Sequence, residues 1–532
     1  MNLHRNQKNL RLTLLLAAVS SIAVGSSSEA CTLHWMTGTP ETASFWSATD
    51  ILSAGTPADI AAAQLLANDA INSKSVLNSI GGAQVKSSAV KPAVSYASLD
   101  AIGAWKINWT GATGHSLNTT INSFINTIPS DVQSVYFDAN YIYVKSTDVP
   151  SFNMGNAAVG ANTGYSKNVN LSVRIPRNPT VATTNTSLGG GGVGVMTNGT
   201  LLFDPGDAQT YNNAGTWHRV ANFFENKTFD IGPGHVAPGQ GVTPSDSTPG
   251  TYHYHIGPTA LTAQVDPGNT GQHHSPIIGF AYDGFPIYGP YGYTNPANAN
   301  SPIKLLTSSY QIRPDLQTTG AVRQALTNGG ATITNTLWGP TVGQVIGPNT
   351  YTAGCFKEDY MYTAGLGDLN NYNMRFEVTP EYPQGIWAYV MTMDAAGKFV
   401  FPYMIGPQYF GDVATGNTGA GGGNVTVPGA AIRLKAGDSN FDGNVSYADL
   451  QILAQNFGLA ARGVWSQGNY DANGTIDAAD LALLQSNYIP NTGSSFAADW
   501  TAAQAAVPEP TSITTLLIIG GGALLRRRRR AQ

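Results

Sequence analysis

Histidines are concentrated in one short stretch of the chain. Five of the nine histidines among 532 residues lie between residues 230 and 293. They are His235, His253, His255, His273 and His274. Imidazole nitrogen is a common ligand of Zn²⁺ and Cu²⁺, and this stretch contains no cysteine. The sequence therefore predicts a transition-metal site with nitrogen ligands, or with nitrogen and oxygen ligands.

The tetrapeptide at residues 252–255, Tyr-His-Tyr-His, is the densest part of this stretch. In a strand, side chains alternate between the two faces, so His253 and His255 would share one face and the two tyrosines the other. Their Cα atoms would lie roughly 6.6 Å apart, which lets both imidazoles reach one ion.

Spacing alone does not fix the remaining ligands. We expect His235 and one of His273 and His274 to complete the set, because adjacent strand residues point to opposite faces. Asp230 and Asp283 are candidates to bind the metal or to orient an imidazole. Alternatively, the histidines are buried hydrogen-bonding residues among aromatic neighbours, and Asp283 with the following glycine only forms a turn.

A family resemblance accompanies these residues. The matching features are Asp230, the Gly-His pair at 234–235, the Tyr-His-Tyr-His tetrapeptide and the segment SPIIGFAYDGFPIYGPYGY at 275–293. The stretch resembles the YHYH domain family, and the resemblance extends upstream to residues 194–199. Membership of this family implies no particular biochemical activity.

A second kind of metal site is predicted by an internal duplication. A shift of 31 residues superposes Gly443 on Gly474 and Asp449 on Asp480. Each copy reads as an oxygen-rich loop with glycine at position 6, followed by a short helix, which is the pattern of Ca²⁺ loops. The first loop offers Asp438, Asn440, Asp442, Asn444, Ser446 and Asp449. The second offers Asn469, Asp471, Asn473, Thr475, Asp477 and Asp480.

These paired loops resemble a type I dockerin, a small all-α module that binds two Ca²⁺ ions. The resemblance implies a cohesin-like partner, recognised through positions 10 and 11 of each loop. Those positions hold Tyr447-Ala448 and Ala478-Ala479, not the hydroxyl pairs common in cellulosomal dockerins.

Both ends of the chain resemble export signals. Residues 1–30 have basic residues, an apolar run and a small-residue cleavage site, as in a signal peptide. Residues 507–532 carry Pro508, Glu509 and Pro510, then 15 mostly apolar residues and five arginines. This end resembles a PEP-CTERM sorting signal, which implies an exosortase, transient membrane contact and delivery to the bacterial cell surface or polysaccharide matrix. A weak membrane anchor is the alternative.

Composition agrees with an exported protein. Only 11% of residues are charged, and the net charge is −5. The terminal segments 1–30 and 511–532 hold eight of 27 basic residues and one of 32 acidic residues, so the remainder has a net charge of −12. This excess of acidic residues argues against nucleic acid as a partner. The two cysteines, Cys31 and Cys355, form a disulfide in one interpretation and remain separate thiols in the other.

Whether the protein is an enzyme is left open by the sequence. A metal with an open position can activate water, and dockerins often accompany polysaccharide-degrading hydrolases. Glycoside hydrolysis needs two flanking carboxylates, for which Glu358-Asp359 and Glu377 with Glu381 are the candidates. The third possibility is a non-catalytic structural or adhesive matrix protein.

The predicted fold is mainly β, with a small helical module near the C-terminus. Asn198-Gly199 and Asp283-Gly284, each between apolar runs, predict hairpins, the former with a type I′ turn. We expect an antiparallel sandwich or barrel-like domain over residues 31–410, with the YHYH region at about 130–410. A flexible glycine-rich linker at 411–430, a dockerin-like domain at 431–490 and a second linker at 491–506 would follow.

Overall fold

A computed structural model describes residues 35–37, 44–46, 98–114, 128–152, 166–237, 250–324, 338–417 and 423–507. Cys31, the predicted signal peptide and the predicted sorting motif at 508–510 lie outside these ranges. No helix within the described ranges is long and apolar enough to cross a membrane.

Short strands dominate the described part of the chain. The strands are β1 Trp35–Thr37, β2 Ser44–Trp46, β3 Val132–Phe137, β4 Tyr141–Ser146, β5 Leu171–Pro176, β6 Gly192–Met196, β7 Leu201–Phe203, β8 Gly206–Thr210, β9 His218–Val220, β10 Gly234–Val236, β11 Tyr252–Tyr254, β12 Ile277–Ala281, β13 Pro286–Tyr288, β14 Tyr291–Tyr293, β15 Ile303–Leu305, β16 Tyr310–Ile312, β17 Gln344–Ile346, β18 Asn349–Tyr351, β19 Tyr360–Tyr362, β20 Met374–Glu377, β21 Ile386–Val390 and β22 Ile432–Arg433.

The helices are few and short. The α-helices are α1 Asp100–Gly103, α2 Ala221–Phe224, α3 Thr259–Val265, α4 Tyr447–Asn456, α5 Ala478–Asn487 and α6 Phe496–Ala505. Single 3₁₀ turns cover Tyr211–Asn213, Asn226–Thr228, Pro314–Leu316, Lys357–Asp359 and Trp465–Gln467. The prediction of a mainly β protein is confirmed.

Two larger sheets build the core. The main sheet has eight strands in the order β10-β11-β7-β6-β12-β13-β21-β20, and the second has four in the order β22-β3-β4-β5. Most neighbours are antiparallel, but β11–β7 and β13–β21 run parallel. The eight-stranded sheet is therefore mixed, which differs from the purely antiparallel arrangement expected from the sequence.

Both predicted hairpins form, joining β6 to β7 and β12 to β13. Gly199 has a φ of 79° and Gly284 a φ of 90°, while the Asn198 and Asp283 residues before them are not left-handed. A type I′ turn requires positive φ at both central residues. The type I′ prediction for Asn198-Gly199 is therefore wrong, and both connections are three-residue loops that end in a left-handed glycine.

Asp283 holds the second hairpin against the end of the β-rich domain. Its carboxylate is fully buried and accepts hydrogen bonds from the Tyr389 hydroxyl at 2.7 Å, Gly411 N at 2.9 Å and Phe285 N at 3.2 Å. Burial raises the pKa of Asp283 to about 6, although these hydrogen bonds act in the opposite direction. The residue is therefore a core acceptor that ties residue 411 to the sheet.

The predicted linker at 411–430 is not free of the β-rich domain in its described residues. Gly411 bridges to Val181, and Ser172 on β5 bonds both Gly423 O and Val425 N through its backbone. After this segment, β22 pairs with β3. The described parts of 411–430 therefore run along the sheet, and the C-terminal helices share one continuous core with the strands.

Replacing Asp283 by alanine tests this core acceptor. We expect Asp283→Ala to lower the free energy of unfolding by about 2–4 kcal/mol, because the variant leaves buried donors without an acceptor. Urea unfolding of the full chain measures the loss. Asp315→Ala is the matched control, since its carboxylate is largely exposed and pairs with Arg313. That control should change stability by less than about 1 kcal/mol, and an equal effect of both substitutions would contradict the role of Asp283.

Candidate metal centre

The edge strand β10 and its neighbour β11 bring three histidines together. β10 pairs with β11 in antiparallel register, and His235 lies directly opposite His253. His255 follows β11 by one residue and returns to the same face, as the period of two predicts. Sequence spacing therefore aligned His253 with His255, and the pairing of β10 with β11 added His235.

The three Nε2 atoms converge. His253 Nε2 lies 3.1 Å from both His235 Nε2 and His255 Nε2. Within the described ranges, these side chains form the one group of three or more His, Cys, Asp or Glu residues whose ligand atoms all lie within 4.8 Å of one another. Nitrogens bound at about 2.0–2.1 Å to one tetrahedral ion lie roughly 3.3 Å apart. The observed spacing therefore fits ligation of one shared metal ion.

Hydrogen bonds on the other ring nitrogens set the tautomers. His255 Nδ1 lies 2.6 Å from the carbonyl oxygen of Asp204, and His253 Nδ1 lies 3.3 Å from that of Thr251. A carbonyl only accepts, so both Nδ1 atoms carry hydrogen and both Nε2 atoms present lone pairs.

His235 follows the same rule through a hydroxyl. Its Nδ1 lies 2.7 Å from Thr228 Oγ1, which itself donates to the carbonyl oxygen of Glu225 at 2.7 Å. Because the hydroxyl proton is used there, Thr228 accepts from His235 Nδ1. All three Nε2 lone pairs therefore point into one small volume, where they repel unless a cation lies among them.

Burial keeps these imidazoles neutral. The three residues are at most 5% exposed. Burial, with the neighbouring His255, lowers the pKa of His235 to about 3. Burial lowers the pKa of His255 to about 4 and that of His253 well below its ordinary value. Neutral imidazole is the form that binds metal, so the site needs no deprotonation near neutral pH.

A carboxylate completes the cluster. Glu225 Oε2 lies 3.5 Å from His255 Nε2 and 3.8 Å from His235 Nε2, and its side chain is 18% exposed. An ion bound to the histidines would have this oxygen within reach of a small rotamer change. The donor set is then three nitrogens and one oxygen, which fits Zn²⁺ or Cu²⁺.

Aromatic rings enclose the cluster. Phe203, at the end of β7, stacks on His253 with ring centroids 3.9 Å apart. Phe229 contacts His235 edge-on at 4.9 Å and lies parallel to His255 at 6.3 Å. These apolar walls keep water from the imidazoles and strengthen electrostatic interactions at the site.

Two buried carboxylates position the strands. Asp148 accepts from Leu201 N on β7 at 3.1 Å and from Tyr252 N on β11 at 2.9 Å, so it joins the two parallel strands. Asp230 accepts from the Tyr252 hydroxyl at 2.7 Å and from the backbone of Gly232 and Gly234. Asp230 thus orients the strand pair through a tyrosine, and within the described residues no hydrogen bond joins its carboxylate to an imidazole.

The other predicted ligands lie elsewhere. His273 Nε2 pairs with Asp266 at 2.7 Å, and His274 Nε2 lies 3.2 Å from Glu377 Oε2 in the core. The prediction that one of these two histidines completes the site is wrong, and so is the inclusion of Asp283. The side chains of His273 and His274 do point to different partners, but neither side chain reaches the cluster of His235, His253 and His255.

Glu225 and Thr228 were missed by sequence reasoning. Both belong to the α2 region and the 3₁₀ turn at Asn226–Thr228, which precede the histidine stretch. Neither residue has a spacing to the histidines that marks it as a partner. Only the tertiary approach of this turn to β10 and β11 brings them to the site.

The two predicted calcium loops adopt matching conformations before α4 and α5. In the first, Asp449 accepts from Ser439 N and Ser446 N at 2.9 Å each. In the second, Asp480 accepts from Tyr470 N at 2.7 Å and from Asp477 N at 3.0 Å. The equivalent bonds show that the duplication seen in the sequence is also structural.

Position 1 differs between the loops. Asp438 accepts from Asp442 N at 3.1 Å and Gly443 N at 2.9 Å. Burial, and to a smaller extent the nearby carboxylate of Asp449, raises the pKa of Asp438 to about 6. Asn469 donates from Nδ2 to Gly463 O at 2.8 Å, while its buried Oδ1 has no hydrogen-bond partner within the described residues.

Cys355 is buried and forms no disulfide within the described residues, and Arg323 donates to its sulfur at 3.5 Å. Its predicted partner, Cys31, lies outside the described residues.

Thr228 provides a test of the tautomer assignment. Thr228→Val removes the hydroxyl that accepts from His235 Nδ1, so we expect the affinity for Zn²⁺ or Cu²⁺ to fall about 10- to 100-fold. Competition with a chromophoric chelator measures the affinity of the full chain. Thr228→Ser retains the hydroxyl and should bind like wild type. Equal affinities for the valine and serine variants would contradict the assignment.

Comparison with known proteins identifies one part of the chain. No curated protein and no solved structure matches the sequence. Residues 172–401 match the model of the family described as YHYH protein. The matched range contains β10, β11 and all three converging histidines, together with Glu225 and Thr228. We call the matched residues 172–401 the YHYH domain after this match, and the histidine cluster lies inside them.

Proposed function

We propose that the chain is an exported bacterial protein of the cell surface or extracellular matrix, organised around a metal ion in its YHYH domain. His235, His253 and His255 would hold Zn²⁺ or Cu²⁺, with Glu225 as the fourth ligand. The observation that carries this proposal is the convergence of three Nε2 lone pairs whose Nδ1 atoms all donate elsewhere.

The enclosure of the site favours a structural role for the metal. Metal sites with four protein ligands stabilise structure, whereas catalytic sites keep one position open. The histidines are nearly inaccessible and lie behind Phe203 and Phe229. A bound ion would join β10 and β11 to the turn that carries Glu225, and so hold the edge of the main sheet closed.

Hydrolysis of polysaccharides has weaker support. The carboxylates suggested by the sequence are already paired: Glu358 with His218, Asp359 with Arg323, and Glu377 with Arg375 and His274. Glu381 accepts from the Tyr288 hydroxyl. In an inverting or retaining glycoside hydrolase, two carboxylates must flank the scissile bond in an open cleft. The candidate carboxylates are instead engaged by other side chains of the protein, so the structure gives this activity no support. We therefore favour a non-catalytic surface protein.

Export and attachment rest on sequence features. The signal-like N-terminus and the Pro508-Glu509-Pro510 tail support export, with an exosortase acting on the tail. The dockerin-like loops support two Ca²⁺ ions and attachment through a cohesin-like partner or the polysaccharide matrix. Matching loop geometry in both copies adds support for the calcium sites.

The metal site is tested by elemental analysis of the full chain. Wild type should contain about one Zn or Cu per chain, and His253→Ala/His255→Ala should contain almost none, because two of three nitrogen ligands are removed. His273→Ala is the matched control, since this histidine lies outside the cluster, and it should retain the metal. Equal metal content in wild type and the double variant would refute the site.

Metal addition also has an expected effect on stability. At a free concentration 100 times the Kd, a ligand that binds only the folded state stabilises it by about 2.7 kcal/mol. Thermal unfolding should show this gain for wild type and His273→Ala but not for the double variant.

The calcium loops are tested separately by calorimetry. Wild type should bind two Ca²⁺ ions, and Asp449→Ala or Asp480→Ala should each lose one, because position 12 supplies the closing carboxylate. Asp394→Ala, in an exposed turn of the YHYH domain, is the control and should still bind two. Unchanged stoichiometry in both loop variants would contradict the calcium assignment.

A further inference from the structure

An N-terminal segment lies between the YHYH domain and the C-terminal repeat. We name residues 98–109 the strap and residues 434–507 the C-terminal module. In the strap, Gly103 of α1 faces Trp465 so closely that an added Cβ would lie 2.2 Å from Trp465 Cγ. Trp465 is 2% exposed. Only glycine therefore allows this contact between the strap and the module.

Hydrogen bonds also connect the strap to the C-terminal module. Asp100 accepts from Ser466 N at 2.8 Å and from Ser466 Oγ at 3.0 Å. Trp109 Nε1 donates to Tyr470 O at 3.0 Å. The strap thus binds the module at both of its ends.

The other side of the strap is fixed to the β sheets. Trp105 stacks on Phe280 of β12, with ring centroids 5.2 Å apart. Lys106 N donates to Thr197 O at 2.8 Å, and Lys106 Nζ pairs with Asp131 at 2.6 Å. The strap therefore connects the C-terminal module to the β sheets through direct contacts.

Two of the three module residues that hold the strap, Trp465 and Tyr470, are bonded to residues of the predicted calcium loops. Trp465 Nε1 donates to the carbonyl oxygen of Asp438, the first residue of loop one, at 2.7 Å. Tyr470 is the second residue of loop two, and its N–H donates to Asp480 at 2.7 Å. Its hydroxyl also meets Ser439 Oγ of loop one at 2.6 Å. The two loops and the strap therefore form one hydrogen-bonded unit.

A second observation points to a cation at loop two. Asn469 occupies position 1 and is 7% exposed, and its Oδ1 has no hydrogen-bond partner within the described residues. A buried amide oxygen without a donor is costly, and a hard cation such as Ca²⁺ satisfies it. Asn469 immediately precedes Tyr470, whose carbonyl holds Trp109.

We propose that Ca²⁺ bound in the two loops clamps the C-terminal module onto the YHYH domain through the strap. The module is then a calcium-dependent part of one folded unit and not a freely tethered attachment domain. This inference rests on the calcium sites proposed above. The hydrogen-bonded course of residues 411–417 and 423–430 along the sheet agrees with it.

Hydrogen–deuterium exchange of the full chain tests the clamp. Exchange is compared in excess Ca²⁺ and in a calcium chelator. Calcium should slow exchange at least about tenfold in residues 98–109 as well as in the loops, because opening the strap then requires breaking contacts that the ion stabilises.

Two variants separate the clamp from calcium binding. Ser466 lies outside both loops, so Ser466→Ala should still bind two Ca²⁺ by calorimetry. The calcium-dependent protection of the strap should be reduced, because Asp100 then keeps only the bond from the backbone N–H of residue 466. Trp109→Phe removes the donor to Tyr470 O, retains an aromatic ring and should behave in the same way. Ser486→Ala, at an exposed hydroxyl on α5, is the matched control and should retain protection of the strap.

The outcomes distinguish the two proposals. Two bound Ca²⁺ with unchanged exchange in residues 98–109 would overturn the clamp and leave the calcium sites standing. Absence of Ca²⁺ binding would overturn the calcium sites, and the clamp with them. Retained strap protection in both Ser466→Ala and Trp109→Phe would also overturn the clamp.

Discussion

The convergence of three imidazole lone pairs is the constraint on which the YHYH domain depends. Each Nδ1 donates to an acceptor, which is a carbonyl for His253 and His255 and, for His235, a hydroxyl whose own proton goes to the Glu225 carbonyl. Each Nε2 therefore faces the other two as an acceptor. Protonation, which would relieve the repulsion, is opposed by burial. The sheet edge must therefore bring together groups that repel, and the proposed metal ion would replace that repulsion by attraction.

Buried carboxylates make this arrangement possible. Asp148, Asp230 and Asp283 each accept hydrogen bonds from chain segments that are distant in sequence. Hydrogen bonds lower a carboxyl pKa and burial raises it. Burial dominates at all three residues, since their pKa values are raised. These residues therefore act as fixed acceptors that set strand positions, and not as metal ligands.

The C-terminal module shows how a local pattern and a tertiary context can lead to different conclusions. The glycine-rich segment at 411–430 that precedes the module has low complexity and few apolar residues, which is typical of a mobile linker. In the fold, residues 423–425 of that segment bond to β5, and β22 extends the second sheet. Trp465 then fills the space above Gly103 and joins the module to the main core. The composition of a segment indicates how mobile that segment would be by itself. The contacts that fix this segment are made with residues more than 200 positions away, which its composition does not reveal.

The sequence by itself determined what depends on short-range periodicity. The period of two placed His253 and His255 on one face, the Asn-Gly and Asp-Gly pairs located two hairpins, and the 31-residue repeat located two equivalent loop–helix units. Only the tertiary structure decided which elements meet. The register of β10 against β11 set His235 opposite His253, the turn after α2 delivered Glu225 and Thr228, and His273 and His274 were directed to Asp266 and Glu377. The physical reason is that backbone geometry relates neighbours along a strand or helix, while the pairing of distant segments is set by the packing of the whole core.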